Sequence, residues 1–417
     1  MQLKTILNRV QKFSSFVYGK ARLIQEGEDL AIEVDIHPRA NSWAICSGCG
    51  DKCGGYDTLS PRRFSFVPLW GILVYFVYAM RRVNCANCGI LVESVPWAEG
   101  KKRVTTTYAW FLAAWAKKLS WSDVARTFKT SWGTVFSSVE MAVSWGRSHM
   151  SLDGIRAIGV DEIAWKKGHK YLTLVYQIDE GSRRLLWVGQ DRTVKTLLRF
   201  FRWLGKGRAA ELQFVCSDMW KPYLKVIKKK ASSALHILDR FHIIGHLSKA
   251  IDKVRAQESR TLKEKGYEPI LKGSRWWLLK RPENLTDTQA TQLSELLKYN
   301  LKSVRSYLLK EDFDFFWSYT SPAWAEKFLD RWCTRVMRSR IEPMKKVAKM
   351  LRRHKPLIMN WFRAKGAFSS GPVEGFNNKA KLTMRKAFGY SSPKVAEIAL
   401  YHTLGNLPVP ESTHRFV

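Results

Sequence analysis

Two sets of residues in this chain have the type and spacing to do chemistry: paired cysteines near the start, and acids that interrupt or end apolar runs. "CSGCG" (Cys46, Cys49) and "CANCG" (Cys85, Cys88) are C-x-x-C knuckles, each followed by glycine. That spacing lets two thiolates converge on one ion, so two knuckles supply the four sulfurs of a tetrahedral structural Zn2+ site. The alternative is a set of reduced structural cysteines whose spacing is coincidence. A four-thiolate shell has no open position, so such an ion holds structure and does not catalyse. Cys53 fits neither knuckle and reads as a spectator or an alternate ligand, and Cys216 and Cys333 read as isolated core residues.

The acids come later. In "AIGVDEIAWKKGHKYLTLVYQID", residues 157–179, an apolar run breaks at Asp161 and Glu162. Successive strand residues face opposite sides, so Glu162 is expected to point away from whatever Asp161 binds. Taken alone, the pair reads more readily as a solvated strand end. The elements that follow give it a partner. "IRAIGVDEI", "HKYLTLVYQID" and "RRLLWVGQ" read as three strands joined by tight turns, and "DRTVKTLLRFFRWLG" as an amphipathic helix. "ELQFVCSD" is a fourth strand ending in Asp218, "KPYLKVIKKK" a helix, and "SALHILD" a fifth strand ending in Asp239. Three antiparallel strands, a crossover helix and further parallel strands are the order of an RNase H-like fold. In that order Asp161 and Asp218 lie side by side and can hold a divalent cation between them.

A third acid lies in "SSGPVEGFNNKAKLTMRKAFGY". Ser369 or Ser370 can cap a helix whose first turn holds Pro372. Glu374 then shares a face with Asn378, Lys381 and Arg385, so one edge can serve a metal and the rest DNA phosphate. A surface helix with scattered charges fits the same pattern.

Upstream, "WSDVARTFKTSWGTVFSSVEMAVSWG" offers Ser122 and Asp123 as caps, a short apolar face (Val124, Ala125, Phe128), a "KTS" turn and a longer helix. This matches a helix-turn-helix, whose second helix enters the major groove with Thr134 near its start. An ordinary helical hairpin has the same pattern, but composition favours DNA. The chain has 417 residues, 46% hydrophobic, with 70 Lys+Arg against 36 Asp+Glu, a net charge of +34. Such an excess implies a polyanionic partner, most simply nucleic acid. The rival, an anionic membrane surface, finds no spanning segment: "LWGILVYFVYAM", residues 69–80, is too short and reads as a buried strand or strand pair. The first residues lack the long apolar segment of a secretory signal, so the expected location is the cytoplasm, at the bacterial nucleoid.

Taken in order, the knuckles, the helix-turn-helix, "GVDEIAWKKGHKYLTLV", "VCSDMWKPY", "LDRFHI" and "GPVEGFNNKAK…RKAFGY" resemble the ISL-three family of bacterial insertion-sequence transposases. The resemblance covers nearly the whole chain. It implies a multidomain α/β protein: a zinc-binding domain over 1–100, a helix-turn-helix DNA-binding domain over 101–150, and an RNase H-like catalytic core over 151–244 and 366–417, split by an α-helical insertion over 245–365. It implies Asp161, Asp218 and Glu374 as a catalytic DDE triad holding two Mg2+ ions, with Mn2+ as a substitute. "LDRFH" looks like the Asp-x-x-His element of several DDE groups, which implies that Asp239 and His242 support the site or a flipped DNA end. Asn378, Lys381, Arg385 and Thr134 are then candidate DNA contacts. The implied activity is binding of terminal inverted repeats, hydrolysis of the phosphodiester at the element ends, and transfer of the 3′-OH ends to target DNA, by a homodimer or higher oligomer. Two other classes fit parts of the chain: a sequence-specific DNA-binding regulator, and an RNase H-like nuclease without strand transfer. In the insertion, "GSRWWLLKRP" and "DFFWSYTSPAWAEKF" suit bracing distorted DNA, although helical core packing explains most of those tryptophans.

Overall fold

The computed structural model describes residues 3–166, 168, 170–267, 269–364, 371–387 and 389–411. The candidate caps Ser369 and Ser370 lie outside the described residues. The chain divides into two compact units, one running to Ser151 and resuming at Leu382, the other spanning Leu152–Lys381.

The first unit opens with α1 (Leu3–Val10) and six strands: β1 (Phe16–Glu26), β2 (Asp29–Pro38), β3 (Ala44–Cys46), β4 (Lys52–Leu69), β5 (Ile72–Cys85) and β6 (Gly89–Ser94). They form one sheet in the order β1-β2-β5-β4-β3-β6. The apolar stretch 69–80 is the turn and second arm of a long antiparallel hairpin. Its two-residue turn is Trp70–Gly71, both at positive φ (50° and 81°), as tight hairpins require. Strand alternation buries Val74, Phe76, Tyr78 and Met80 on one face. Trp97 is fully buried there, with ring centroids 5.3 Å from Phe13 and 4.9 Å from Phe16.

Three helices follow: α2 (Thr106–Lys118), α3 (Trp121–Thr127) and α4 (Trp132–Ser148). Val124, Val135, Val139 and Val143 are buried, as their spacing requires. The cap of α3 is Ser120, two residues before the expected Ser122. Its Oγ accepts from the Asp123 backbone N–H (3.1 Å) and donates to the Asp123 carboxylate (2.6 Å). Ser122 and Asp123 sit inside the first turn because Trp121 is buried and helical.

The second unit carries β7 (Ala157–Lys166), β8 (Lys170–Asp179), β9 (Ser182–Gln190), β10 (Phe214–Ser217) and β11 (Leu235–Leu238), in the order β11-β10-β7-β8-β9. β7, β8 and β9 are antiparallel, and β10 runs parallel to both β7 and β11. Between β9 and β11 come α5 (Val194–Leu204), α6 (Lys206–Glu211) and α7 (Lys221–Lys230). Leu197, Phe200 and Leu204 of α5 and Tyr223 and Ile227 of α7 pack with Ile158, Val160 and Val175 in one core.

A second core is mainly helical, joined by Met219 and by Leu238 of β11. Its helices begin directly after β11 with α8 (Arg240–Glu264), followed by α9 (Arg275–Leu279), α10 (Asp287–Leu297), α11 (Lys302–Asp314), α12 (Pro322–Arg338), α13 (Glu342–Ile358) and α14 (Asn360–Arg363). Trp332 is buried in this core and Trp277, Trp317 and Trp361 pack against it, whereas Trp276 and Trp324 are exposed. Packing thus accounts for most of these tryptophans.

α15 (Gly371–Lys386) seats on the sheet of the second unit. Gly159 of β7 makes the seat possible, since a Cβ there would lie 2.2 Å from Val373 Cγ2. Phe376 stacks on Tyr176 of β8 at 4.9 Å. The boundary between units falls inside this helix, and α16 (Pro393–Leu404) groups with the first unit. There the buried face of α16 includes Ile398, Leu400 and Tyr401.

Candidate metal centre and acid-lined cavity

The two cysteine knuckles meet. Cys46 ends β3 and Cys85 ends β5, while Cys49 and Cys88 lie in the turns that follow. The four Sγ atoms are all within 4.8 Å of one another, with Cys49 and Cys85 at 3.5 Å. Four sulfurs about 2.3 Å from one tetrahedral ion lie about 3.8 Å apart, so the donor set fits a metal. Gly48, inside the first knuckle, lets the two close: a Cβ there would lie 3.0 Å from Cys88 Sγ. Backbone N–H groups of Asn87 and Cys88 aimed at Cys85 pull its thiol down to about 6, which favours the thiolate that a metal needs. Cys53 stays outside the quartet, and Cys216 and Cys333 are buried singly.

The acids meet at the end of the second sheet. Val160 pairs with Ser217 in the β7–β10 register, so Asp218 follows the end of β10 and Asp161 lies beside it within β7, where the pairing with β10 stops. Both line one cavity of about 550 Å3, together with Glu162, Arg192, Trp220, His242, Lys249, Asn377 and Lys381. Each carboxylate is held by two donors. Asp161 accepts from the Glu162 backbone N–H (2.8 Å) and from Asn377 Nδ2 (2.5 Å). Asp218 accepts from the Trp220 backbone N–H (2.9 Å) and from Arg192 Nη2 (2.6 Å). Burial raises the pKa of Asp161, with Asp239 and Asp218 adding repulsion against its own backbone hydrogen bond and His242. Two carboxylates lining one cavity offer the oxygen ligands that a hard divalent cation takes.

Glu162 departs from expectation. Strand alternation turns it away from Asp161, yet it lines the same cavity. Its Oε1 lies 3.0 Å from Arg192 Nε, an ion pair without hydrogen-bond alignment. The same guanidinium holds Asp218 and stacks over Trp220 at 4.6 Å. Pairing with β10 stops at Val160 while β7 runs on beside β8, so from Asp161 onward one edge of β7 is open and a long side chain reaches round it to Arg192. Burial, then the charge of Asp218, pushes the Glu162 carboxyl up to about 8 despite Arg192.

Glu374 lies exposed on the first turn of α15, with Asn378 and Arg385 also exposed, while Lys381 reaches the cavity. Among the described residues the cysteine quartet alone brings three or more ligand atoms within 4.8 Å of one another, so the three acids do not form such a group here. Asp239 caps α8, accepting from the Phe241 N–H at 2.7 Å, and its carboxylate lies 3.8 Å from His242 Nε2. Thr134, near the start of α4, is half-buried. Its hydroxyl is shared with the cap Ser131 at 2.9 Å. Arg192, Asn377 and Lys249 were not singled out by sequence. Asn377 stood within sight in "FNN", since i+3 from Glu374 shares its side of a helix.

Residues 158–399, more than half of the chain, match the family model described as "Transposase", of the DDE type and the ISL-three group. The transposase for insertion sequence element IS1001 of Bordetella parapertussis is 30% identical over 349 residues, covering 83% of this chain and 85% of its own length. The transposase for insertion sequence element IS1557 of Mycobacterium tuberculosis is 30% identical over 419 residues, covering 93% and 92%. This chain belongs to the ISL-three family of DDE transposases, a family of DNA-transposing enzymes. Among the described residues, no helix is long and apolar enough to cross a membrane.

Proposed function

We propose that the acid-lined cavity is the active centre of an RNase H-like domain that cuts the ends of an insertion sequence and joins them to target DNA. The observation that carries this reading is the shared cavity of Asp161 and Asp218 on the neighbouring strands β7 and β10, in a sheet with the strand order expected of that fold. Glu374, on the helix seated against the same sheet, completes the triad by approaching when DNA and metal are bound. Paired Mg2+ ions held by these three acids supply Lewis-acid charge for in-line displacement at phosphorus, and Mn2+ can replace them. Arg192, Lys249 and Lys381 line the cavity and offset the repulsion between a phosphodiester anion and its nucleophile. In the first step water attacks phosphorus at the element end, and the P–O3′ bond breaks to free a 3′-hydroxyl. In the second that hydroxyl attacks a target phosphodiester, displacing one target 3′-oxygen and conserving the number of ester bonds.

The cysteine quartet holds one structural Zn2+ in the N-terminal module. α3 and α4 act as a helix-turn-helix on the terminal inverted repeats, where Thr134, Asn378 and Arg385 are candidate contacts. Asp239 and His242 support the site. Synapsis of two ends calls for a homodimer or higher oligomer, working at the nucleoid. The test is incubation of the purified chain with DNA carrying the element's terminal repeats, target DNA and Mg2+. Nicks at the repeat ends and joined products are expected, both lost in Asp218→Asn. Binding without cutting points to a regulator, and cutting without joined product to a nuclease; either result overturns the proposal.

A further inference from the structure

We propose that Asn377 is a positioning residue: its side-chain amide orients Asp161 for metal and ties the helix of Glu374 to the strand of Asp161. The inference rests on the reading of the cavity as the active centre. Asn377 is 6% exposed, one turn beyond Glu374 on α15. Its Nδ2 donates to Asp161 Oδ2 at 2.5 Å, and its Oδ1 accepts from the Tyr176 hydroxyl at 2.9 Å. The direction of this relay is fixed by chemistry. An ionised carboxylate only accepts, so the amide nitrogen must face Asp161 and the amide oxygen must face the phenol, which then donates.

The relay fixes the plane of the Asp161 carboxylate. One oxygen is held by Asn377 and the other by the Glu162 backbone N–H at 2.8 Å, and each keeps a lone pair for a cation. A neutral amide does this without adding charge that competes with the metal, whereas Arg192 on Asp218 does add charge. The Tyr176 ring is itself fixed by its stack on Phe376, and Val373 is locked against Gly159. The hydrogen bonds of Asn377 to Asp161 and Tyr176 therefore add polar links to the apolar contacts that seat the helix carrying Glu374.

The experiment measures end cleavage against Mg2+ concentration for the wild-type chain, Asn377→Leu, Tyr176→Phe and Asp161→Asn, with end-DNA binding and thermal unfolding run in parallel. Removing a partner that orients a metal ligand weakens metal affinity or activity by about 10–100-fold. Asn377→Leu is expected to need about that much more Mg2+ for half-maximal cleavage, to regain rate in excess metal, and to bind DNA normally. Tyr176→Phe keeps the ring stack and loses only the hydroxyl, so its shift has the same direction and is smaller. A purely structural asparagine would lower thermal stability with no change in metal dependence, and that result overturns the inference. If Asn377→Leu does not fold, Tyr176→Phe decides alone, and wild-type metal dependence there overturns it. Asp161→Asn separates the two levels. If it still cleaves, the active-centre reading falls and takes this inference with it. If it is inactive beside an Asn377→Leu of normal metal dependence, only the role of Asn377 falls.

Discussion

The cysteine quartet and the acid-lined cavity both gather side chains that can bind metal, and they are built in opposite ways. The quartet is complete in itself. Four ligand atoms already converge, from two turns that follow strand ends of one sheet, with Gly48 removing the one side chain that would keep them apart. The cavity is incomplete. Asp161 and Asp218 are oriented by protein donors, while Glu374 stands exposed on a separate helix. A structural ion needs a closed, preformed shell, whereas a catalytic ion needs open positions for substrate. On the proposed reading, the contrast gives the first site permanence and the second turnover.

The largest expected effect falls on the closed site. Structural zinc in small modules contributes about 10–16 kcal/mol of apparent folding free energy at neutral pH. Cys49→Ser should lose the bound zinc and open the sheet module to protease, both measurable by metal analysis and limited proteolysis. Full zinc content in that variant would remove the quartet from the account. A second test unseats the helix of Glu374. Gly159→Ala adds a Cβ 2.2 Å from Val373 Cγ2, and overpacking of this kind costs about 1–3 kcal/mol. Cleavage should fall more steeply than thermal stability, whereas a loss confined to stability would separate α15 from the site.

Glu162 gives a subtler test of the open site. Glu162→Gln weakens the hold on Arg192, and so the hold of Arg192 on Asp218. Cleavage should drop by about 10-fold, the lower end of what lost supporting contacts produce. Unchanged cleavage would show that Glu162 is a bystander at the rim. The smallest effect is one of pH. The folded-state pKa of Glu162, about 8, lies above its ordinary 4.5. Its contribution to stability is therefore present below pH 4.5 and lost as pH rises through about 8. The metal-free wild type should lose thermal stability across that window more steeply than Glu162→Gln, as calorimetry at several pH values would reveal. Parallel profiles would contradict the assignment.

What the sequence made legible follows the range of each signal. Knuckle spacing is local, so Cys46, Cys49, Cys85 and Cys88 were readable as one site and meet as one. Strand order was readable because each apolar run of residues 155–239 is bounded by turns, and the register of β7 with β10 then puts Asp161 beside Asp218. Other features depend on distant partners. Asn377 draws its role from Tyr176 and Asp161, about two hundred residues away, and nothing in "FNN" names them. Glu162 was misjudged because alternation alone does not show that β10 leaves one edge of β7 open past Val160. The cap of α3 fell on Ser120 because Trp121 extends the helix by two residues. The grouping of residues after Leu382 with the first unit rests on packing that no motif announces.

Asp161 and Asp218 are proposed to hold the metal that cuts DNA, and one measurement tests this directly. The rate of end cleavage in Mg2+ is compared between wild type and Asp161→Asn, with end-DNA affinity measured on the same preparations. The substitution removes a charged ligand at nearly constant volume. The predicted result is a fall larger than the roughly 100-fold that lost supporting contacts cause, with DNA affinity unchanged. An Asp161→Asn chain that cuts at the wild-type rate would contradict the account.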